Sequence, residues 1–89
     1  MNEKLYEDYL RKKGITEKAI KSRITKGLKA EGILNKSFDA IVINDNAMYD
    51  ALLTLRGYEN NEHAPLSNSL RRYYEMINGK EFPKLSEYK

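Results

Sequence analysis

The sequence predicts an all-α fold, a compact bundle of four to five short helices. Apolar residues recur every three to four positions along almost the whole chain, the spacing of helices with one buried face. Alternation at every second position, which is typical of strands, is nearly absent. The 89 residues are one small domain's length of chain. We therefore expect residues 1–89 to form a single helical domain, with a tail at 80–89 packed loosely on the core.

Two helices are predicted in the first third of the chain. The inner face of the first is formed by Leu5, Tyr6, Tyr9 and Leu10. It runs to Lys12 or Lys13 and stops at Gly14, because glycine readily adopts the left-handed conformation after a helix. Thr16 caps the second helix, which ends at Gly32. Its inner positions are Ile20, Ile24, Leu28 and Glu31. Gly27 lies on the same side, where a missing side chain would let another helix come close.

The middle of the chain predicts a short helical turn and a longer helix. Residues 38–43 are brief enough for a strand and end in three β-branched residues, but a lone strand would have no partner for its backbone groups. Ser37 is a good N-cap, which favours a helical turn. Asn44 or Asp45 caps the next helix, and Gly57 ends it. The inner stripe of that helix is Met48, Ala51, Leu52 and Leu55. Residues 58–64 are polar and predict a loop.

The last helix is predicted from Pro65, which suits a first turn, to about Asn78, with Gly79 as its end. Its inner stripe is Leu66, Leu70, Tyr73 and Ile77, flanked by Tyr74 and Met76. Arg71 and Arg72 fall on the outer sides. We expect Phe82, Pro83 and Leu85 in the tail to fold back against the core.

Composition argues against most catalytic and metal sites. The chain has no cysteine and one histidine, so neither a thiolate metal site nor a histidine pair can be built, and His63 is expected in a surface loop. The stretch Asn44-Asp45-Asn46 with Asp50 lacks the central glycine and closing glutamate of a calcium loop. The glycines stand apart, so no phosphate-binding glycine loop exists. We expect a protein without enzymatic activity, metal or cofactor.

No apolar run approaches the roughly 20 residues of a membrane span. The first residues lack the basic start and apolar stretch of a secretory signal. These features predict a cytoplasmic protein that is already in its mature form.

Positive charge is concentrated in one part of the chain. Residues 11–36 carry nine lysines or arginines against two acidic residues, whereas residues 37–63 carry one arginine against five acidic residues. A local basic excess in a small domain is typical of proteins that bind polyanions. A solvated lysine-rich helix face without a partner is the simpler alternative.

Three stretches resemble a known family. Tyr9-Leu10, residues 15–20 (Ile-Thr-Glu-Lys-Ala-Ile) and residues 70–74 (Leu-Arg-Arg-Tyr-Tyr) resemble the N-terminal core-binding domain of phage integrases and other tyrosine recombinases. The resemblance covers nearly the whole chain, through weak motifs that are mostly amphipathic helix patterns. It implies a SAM-like helical bundle that clamps one side of duplex DNA while a separate domain cleaves the strand.

That cleavage domain has no room in this chain, so we do not expect Tyr73 or Tyr74 to act as a nucleophile. The resemblance therefore implies either a fragment of a longer recombinase or a free-standing domain.

Two functions from different classes remain. The first is a DNA-binding module that contacts phosphates mostly through the second helix. Its candidate contact residues are Lys12, Lys13, Lys18, Lys21, Thr25, Lys26, Lys29, Arg71 and Arg72. The second is an accessory factor from a phage or mobile element that docks on another protein, through its helices or through the acidic segment 37–63. Phosphate binding weakens steeply as salt rises, whereas apolar docking is much less sensitive.

Overall fold

The computed structural model describes residues 1–59 and 64–88. Within them the chain forms five helices and no strand. The helices are α1 (Glu3–Lys12), α2 (Glu17–Leu34), α3 (Phe38–Ile41), α4 (Asp45–Arg56) and α5 (Pro65–Asn78). The all-α prediction is confirmed, and the segment 38–43 begins as a helical turn, as expected. Most of the predicted loop at 58–64, including His63, lies outside the described residues.

Short polar side chains begin four of the helices, each by accepting a hydrogen bond from a backbone amide in the first turn. These caps are Asn2, Thr16, Ser37 and Asn44. Three of the four were predicted, with Asn44 rather than Asp45 as the cap of α4. Gly14 and Gly79 have φ values of +83° and +73°, the left-handed conformation predicted at the ends of α1 and α5.

The end of α2 differs from the prediction. The helix passes Gly32 and continues to Leu34, and Asn35 takes the left-handed conformation with φ of 55°. Ile33 and Leu34 still pack against the core, so continuing the helix buries two more apolar side chains. Asn is the residue other than glycine that most readily accepts this conformation, which explains why it ends the helix.

α2 and α5 approach each other closely at Gly27. A Cβ atom added to Gly27 would lie 2.9 Å from Ser69 Oγ and 2.7 Å from Met1 Cε. Ser69 Oγ donates a hydrogen bond to the carbonyl of Arg23 (2.8 Å), and Tyr6 Oη donates to the Ser69 carbonyl (2.8 Å). The close approach predicted for Gly27 is confirmed, and it brings α1, α2 and α5 together.

Burial on α2 and α5 departs from the predicted stripes. Leu28 and Ile77 were predicted to be buried but are 44% and 42% exposed, and Leu5 is 47% exposed. Ile24 is only half-buried. The fully buried positions of α2 are instead Ile20, Gly27 and Ala30. Small residues let α5 come close, so the buried face of α2 is rotated away from Leu28 and toward them.

The N-terminus is tied into the core by carboxylates. The α-amino group of Met1 forms ion pairs with Glu31 (2.7 Å) and Asp39 (3.3 Å). Glu31 also accepts a hydrogen bond from the amide of Phe38 (2.7 Å), the first residue of α3. Tyr73 Oη accepts from the amide of Asn2 (2.8 Å) and donates to Asp39. The predicted burial of Tyr73 is confirmed.

The chain after α5 folds back, as predicted. Phe82 is buried and packs edge-on against Tyr74, and Leu85 is half-buried against the core, although Pro83 is exposed. Tyr88 stacks on Tyr49 of α4. None of the helices in the described residues is long and apolar enough to cross a membrane.

Candidate nucleic-acid interface

The outer face of α2 carries the basic ridge, which we define as Lys18, Lys21, Ser22, Thr25 and Lys29. At about 100° per residue, all five lie within about 60° of Lys18, and Gly27 lies about 180° away. All five side chains are exposed, as the sequence predicts. Lys26, at the edge of the ridge toward α5, is half-buried. The ridge therefore presents three lysines to solvent, with two short hydroxyl side chains between them.

The two acidic residues of α2 are both bound elsewhere. Arg11 donates to Glu17 through Nε and Nη2, both at 2.9 Å, and these bonds lower the pKa of Glu17. Glu31 lies on the inner face, bonded to the Met1 amino group. No lysine of the ridge forms a salt bridge with a carboxylate of residues 1–59 or 64–88. The ridge lysines are thus without a salt bridge in that part of the chain, although the charge of Lys21 acts on Glu17 and helps to lower its pKa.

The acidic segment behaves differently, because its carboxylates stabilise the fold. Asp39 accepts a hydrogen bond from Tyr73, and Asp45 accepts one from Tyr74 (2.9 Å). Ala64, the residue before α5, offers no capping side chain. Glu59 replaces it by accepting hydrogen bonds from the amides of Leu66 and Ser67. Three of the acidic side chains that the sequence offered as a docking surface therefore form hydrogen bonds within the chain, although Asp39 and Asp45 remain exposed.

The basic end of α1 is only partly available. Lys13 Nζ lies 3.5 Å from Glu75 Oε1 and 5.4 Å from the centre of the Tyr9 ring. Lys12 is exposed and forms no salt bridge to the described residues. Of this predicted pair, Lys12 resembles the lysines of the ridge, whereas Lys13 helps to hold α1 against α5.

Glu75 is the centre of a small polar network beneath Lys13. It accepts a hydrogen bond from Tyr9 Oη and lies 3.4 Å from Arg72 Nη1. The Tyr9 hydrogen bond, with the charges of Arg72 and Lys13, lowers the pKa of Glu75. Burial and the hydrogen bond to Glu75 raise the pKa of Tyr9 to about 12. Glu75 is therefore an ionised carboxylate that links α1 to α5.

The sequence predicts Arg71 and Arg72 on the open outer sides of α5, but both are half-buried. The folded-back tail packs on Arg71, and Arg72 lies beside Glu75 of the same helix. Arg71 Nη1 donates to the carbonyls of Phe82 (2.9 Å) and Pro83 (3.3 Å), and its guanidinium lies 5.8 Å from the Phe82 ring centre. Burial lowers the pKa of Arg71. Arg71 thus fixes the tail to α5, and neither arginine adjoins the basic ridge directly.

A cleft between α2, α5 and the tail gathers three arginines, which we call the arginine cleft. It has a volume of about 220 Å³ and is lined by Arg23, Asn68, Arg71, Arg72, Glu75, Glu81 and Phe82. Arg23 and Asn68 also line a neighbouring depression of about 220 Å³ that includes Ser22 and Lys26. The arginine cleft is therefore connected to the edge of the basic ridge.

Sequence reasoning missed Arg23, because it lies outside the lysine cluster of α2. The available signal was its position four residues before Gly27, since residues four apart share a helix face. That spacing places Arg23 on the side of α2 that approaches α5.

Among residues 1–59 and 64–88, no group of three or more His, Cys, Asp or Glu side chains could hold a metal ion. Comparisons with protein-family models, with curated proteins and with solved structures found no match. The similarity to recombinase core-binding domains therefore depends on the quoted stretches alone.

Proposed function

We propose that this protein is a non-catalytic module that binds duplex DNA through phosphate contacts made by the basic ridge of α2. The observation that carries the proposal is the absence of salt bridges from the ridge lysines to any described carboxylate. Unpaired lysines on one helix face attract a polyanion and release its counterions when it binds.

The shape of the ridge is suited to a DNA backbone. Ser22 and Thr25 are short side chains between the lysines, so a phosphate can approach the helix closely. Both are exposed, and their hydroxyl groups can donate hydrogen bonds to phosphate oxygens. Lys12, from the end of α1, adds a further cation that is not ion-paired within the described residues. The proposal agrees with what the resemblance to recombinase core-binding domains implies.

Charge reversal on the ridge tests this function. In Lys21→Glu/Lys29→Glu, two attractive contacts become repulsive, so binding to duplex DNA should weaken by a similar factor for several unrelated sequences. Fluorescence anisotropy with labelled duplexes at low salt measures the change. The fold should survive, because both side chains are exposed and neither forms a hydrogen bond or salt bridge that holds the bundle.

The matched control is Lys36→Glu/Lys84→Glu, which changes the net charge by the same amount at exposed lysines outside the ridge that also form no salt bridge to the described residues. It should weaken binding much less than the reversal on α2. If the parent does not bind duplex DNA at low salt, or if both double variants lose binding equally, the ridge is not a DNA-binding site. Docking on another protein, as an accessory factor, then becomes the better proposal.

A further inference from the structure

We propose that the arginine cleft is a binding site for a single phosphate group, separate from the basic ridge. The proposal goes beyond duplex binding, because the site is concave whereas the ridge is an open helix face. A backbone phosphate in the middle of a duplex is esterified on both sides and offers only two free oxygens to a cleft of about 220 Å³. A phosphate at the end of a strand or on a small molecule offers three free oxygens, which matches the donors of three arginines better.

Only some of the guanidinium N–H donors in the arginine cleft form hydrogen bonds within the described residues. The guanidinium of Arg23 forms no hydrogen bond or salt bridge with the described residues, although the side chain is half-buried. Arg71 uses Nη1 for the tail carbonyls, and Arg72 uses Nη1 for Glu75 at the long distance of 3.4 Å. Each guanidinium has five N–H donors in a fork that fits two phosphate oxygens at once. Three such groups around one cavity match the several oxygens of a phosphate group.

The acidic residues of the cleft leave a positive balance. Glu75 is already bonded to Tyr9 and lies within 3.5 Å of Lys13, a cation from outside the cleft. Glu81 is exposed at the edge, and its charge acts on Arg71. Three arginines therefore face two carboxylates, one of which is also neutralised by Lys13. An anion bound between the arginines would supply the partner that the half-buried Arg23 lacks.

Titration with inorganic phosphate, followed by NMR of the arginine Nε–Hε groups, tests the site. The signals of Arg23, Arg71 and Arg72 should shift together and saturate, whereas the signal of the exposed Arg56 should move little. Arg23→Gln should weaken phosphate binding about tenfold, the usual effect of losing a charge-assisted hydrogen bond. Its fold should be unchanged, because the Arg23 side chain bonds to no described residue.

The matched control is Arg56→Gln, which makes the same substitution at an exposed arginine of α4, outside both the cleft and the ridge. It should change phosphate affinity less than about twofold, because an exposed charge outside the cleft acts only weakly. Equal losses in the two variants, or an Arg56 signal that moves as much as the cleft signals, would overturn the proposal. The parent titration remains decisive even if a variant folds poorly.

A second comparison identifies the source of the phosphate. A short thymidine oligonucleotide with a 5′-phosphate is compared with the same strand carrying a 5′-hydroxyl. Tighter binding of the phosphorylated strand, lost in Arg23→Gln, assigns the cleft to strand ends. Equal binding of the two strands, with saturable inorganic phosphate binding, assigns it to a small phosphate-bearing molecule. Because neither probe is a duplex, a negative result for the arginine cleft does not argue against duplex binding by the ridge. Likewise, a ridge that fails to bind duplex DNA does not argue against phosphate binding in the cleft.

Discussion

The inner face of α2 packs and forms bonds within the fold, whereas its outer face is exposed to solvent. On the inner face, Gly27 lies so close to Ser69 that no Cβ fits between them, and Glu31 is bonded to the Met1 amino group and to the Phe38 amide. On the outer face, the three lysines of the ridge point to solvent and form no salt bridge to the described residues.

The difference indicates where a partner could act. Charged and polar groups on the inner face are already bonded within the fold, so changing them should cost stability. Groups on the outer face contribute little to folding, so changing them should alter only binding. The predictions below test this separation, beginning with the largest expected effect on stability.

The largest effect is expected from filling the contact between α2 and α5. Gly27→Leu should lower the free energy of unfolding by about 3 kcal/mol, because the new side chain would displace Ser69 from its bonds to Arg23 and Tyr6. Urea denaturation followed by circular dichroism measures the loss.

Gly32→Leu is the matched control for that substitution. Gly32 is on the same helix, but nothing lies within 4 Å of an added Cβ. Because leucine is a better helix former than glycine, this variant should be as stable as the parent or gain up to about 1 kcal/mol. Equal stability of the two variants would mean that α2 and α5 do not meet at Gly27.

A smaller effect is expected at Glu31. Glu31→Ala should lower the free energy of unfolding by about 2 kcal/mol, because it leaves the Met1 amino group and the Phe38 amide without their shared acceptor. Glu17→Ala removes the other acidic residue of α2, which is bonded only to the exposed Arg11. Its denaturation midpoint should stay close to that of the parent. A Glu31 variant that behaves like the Glu17 variant would contradict the division of α2 into two faces.

The smallest effect on stability is expected on the ridge itself. Lys21→Ala/Lys29→Ala should change the free energy of unfolding by no more than about 0.5 kcal/mol, since both side chains are exposed. Thermal melting in parallel with the parent measures this. A loss above 1 kcal/mol or so would show that the lysines have a structural role and would weaken any binding result obtained with the same variant.

Local signals made most of the fold predictable. The N-caps could be recognised because Ser, Thr and Asn side chains readily accept a hydrogen bond from an amide in the first turn, as Thr16, Ser37 and Asn44 do. Two helix ends could be recognised because glycine readily adopts the left-handed conformation, as Gly14 and Gly79 do. The rotation of the helices could not be predicted in the same way. The apolar periodicity of α2 predicted that large side chains such as Leu28 are buried. In the structure, close packing at small residues determines which side of α2 is buried.

The candidate site was also predictable in part. Exposure of the ridge follows from helix periodicity, so Lys18, Lys21 and Lys29 were found from the sequence. The partners of Arg71 and the position of Arg23 depend on how the tail and α5 pack, which no local pattern encodes. The same is true of the carboxylates in the acidic segment, whose bonds to Tyr73 and Tyr74 join residues about 30 positions apart in the chain.

The salt dependence of duplex binding tests the central claim most directly. For the parent, the logarithm of the binding constant should fall linearly with the logarithm of salt concentration, because phosphate contacts release counterions. In Lys21→Ala/Lys29→Ala the slope should be shallower by about two, roughly one for each lost contact. Lys36→Ala/Lys84→Ala, at exposed lysines outside the ridge, should keep the slope of the parent. An unchanged slope in the α2 variant, or the same decrease in both variants, would contradict phosphate binding by the outer face of α2.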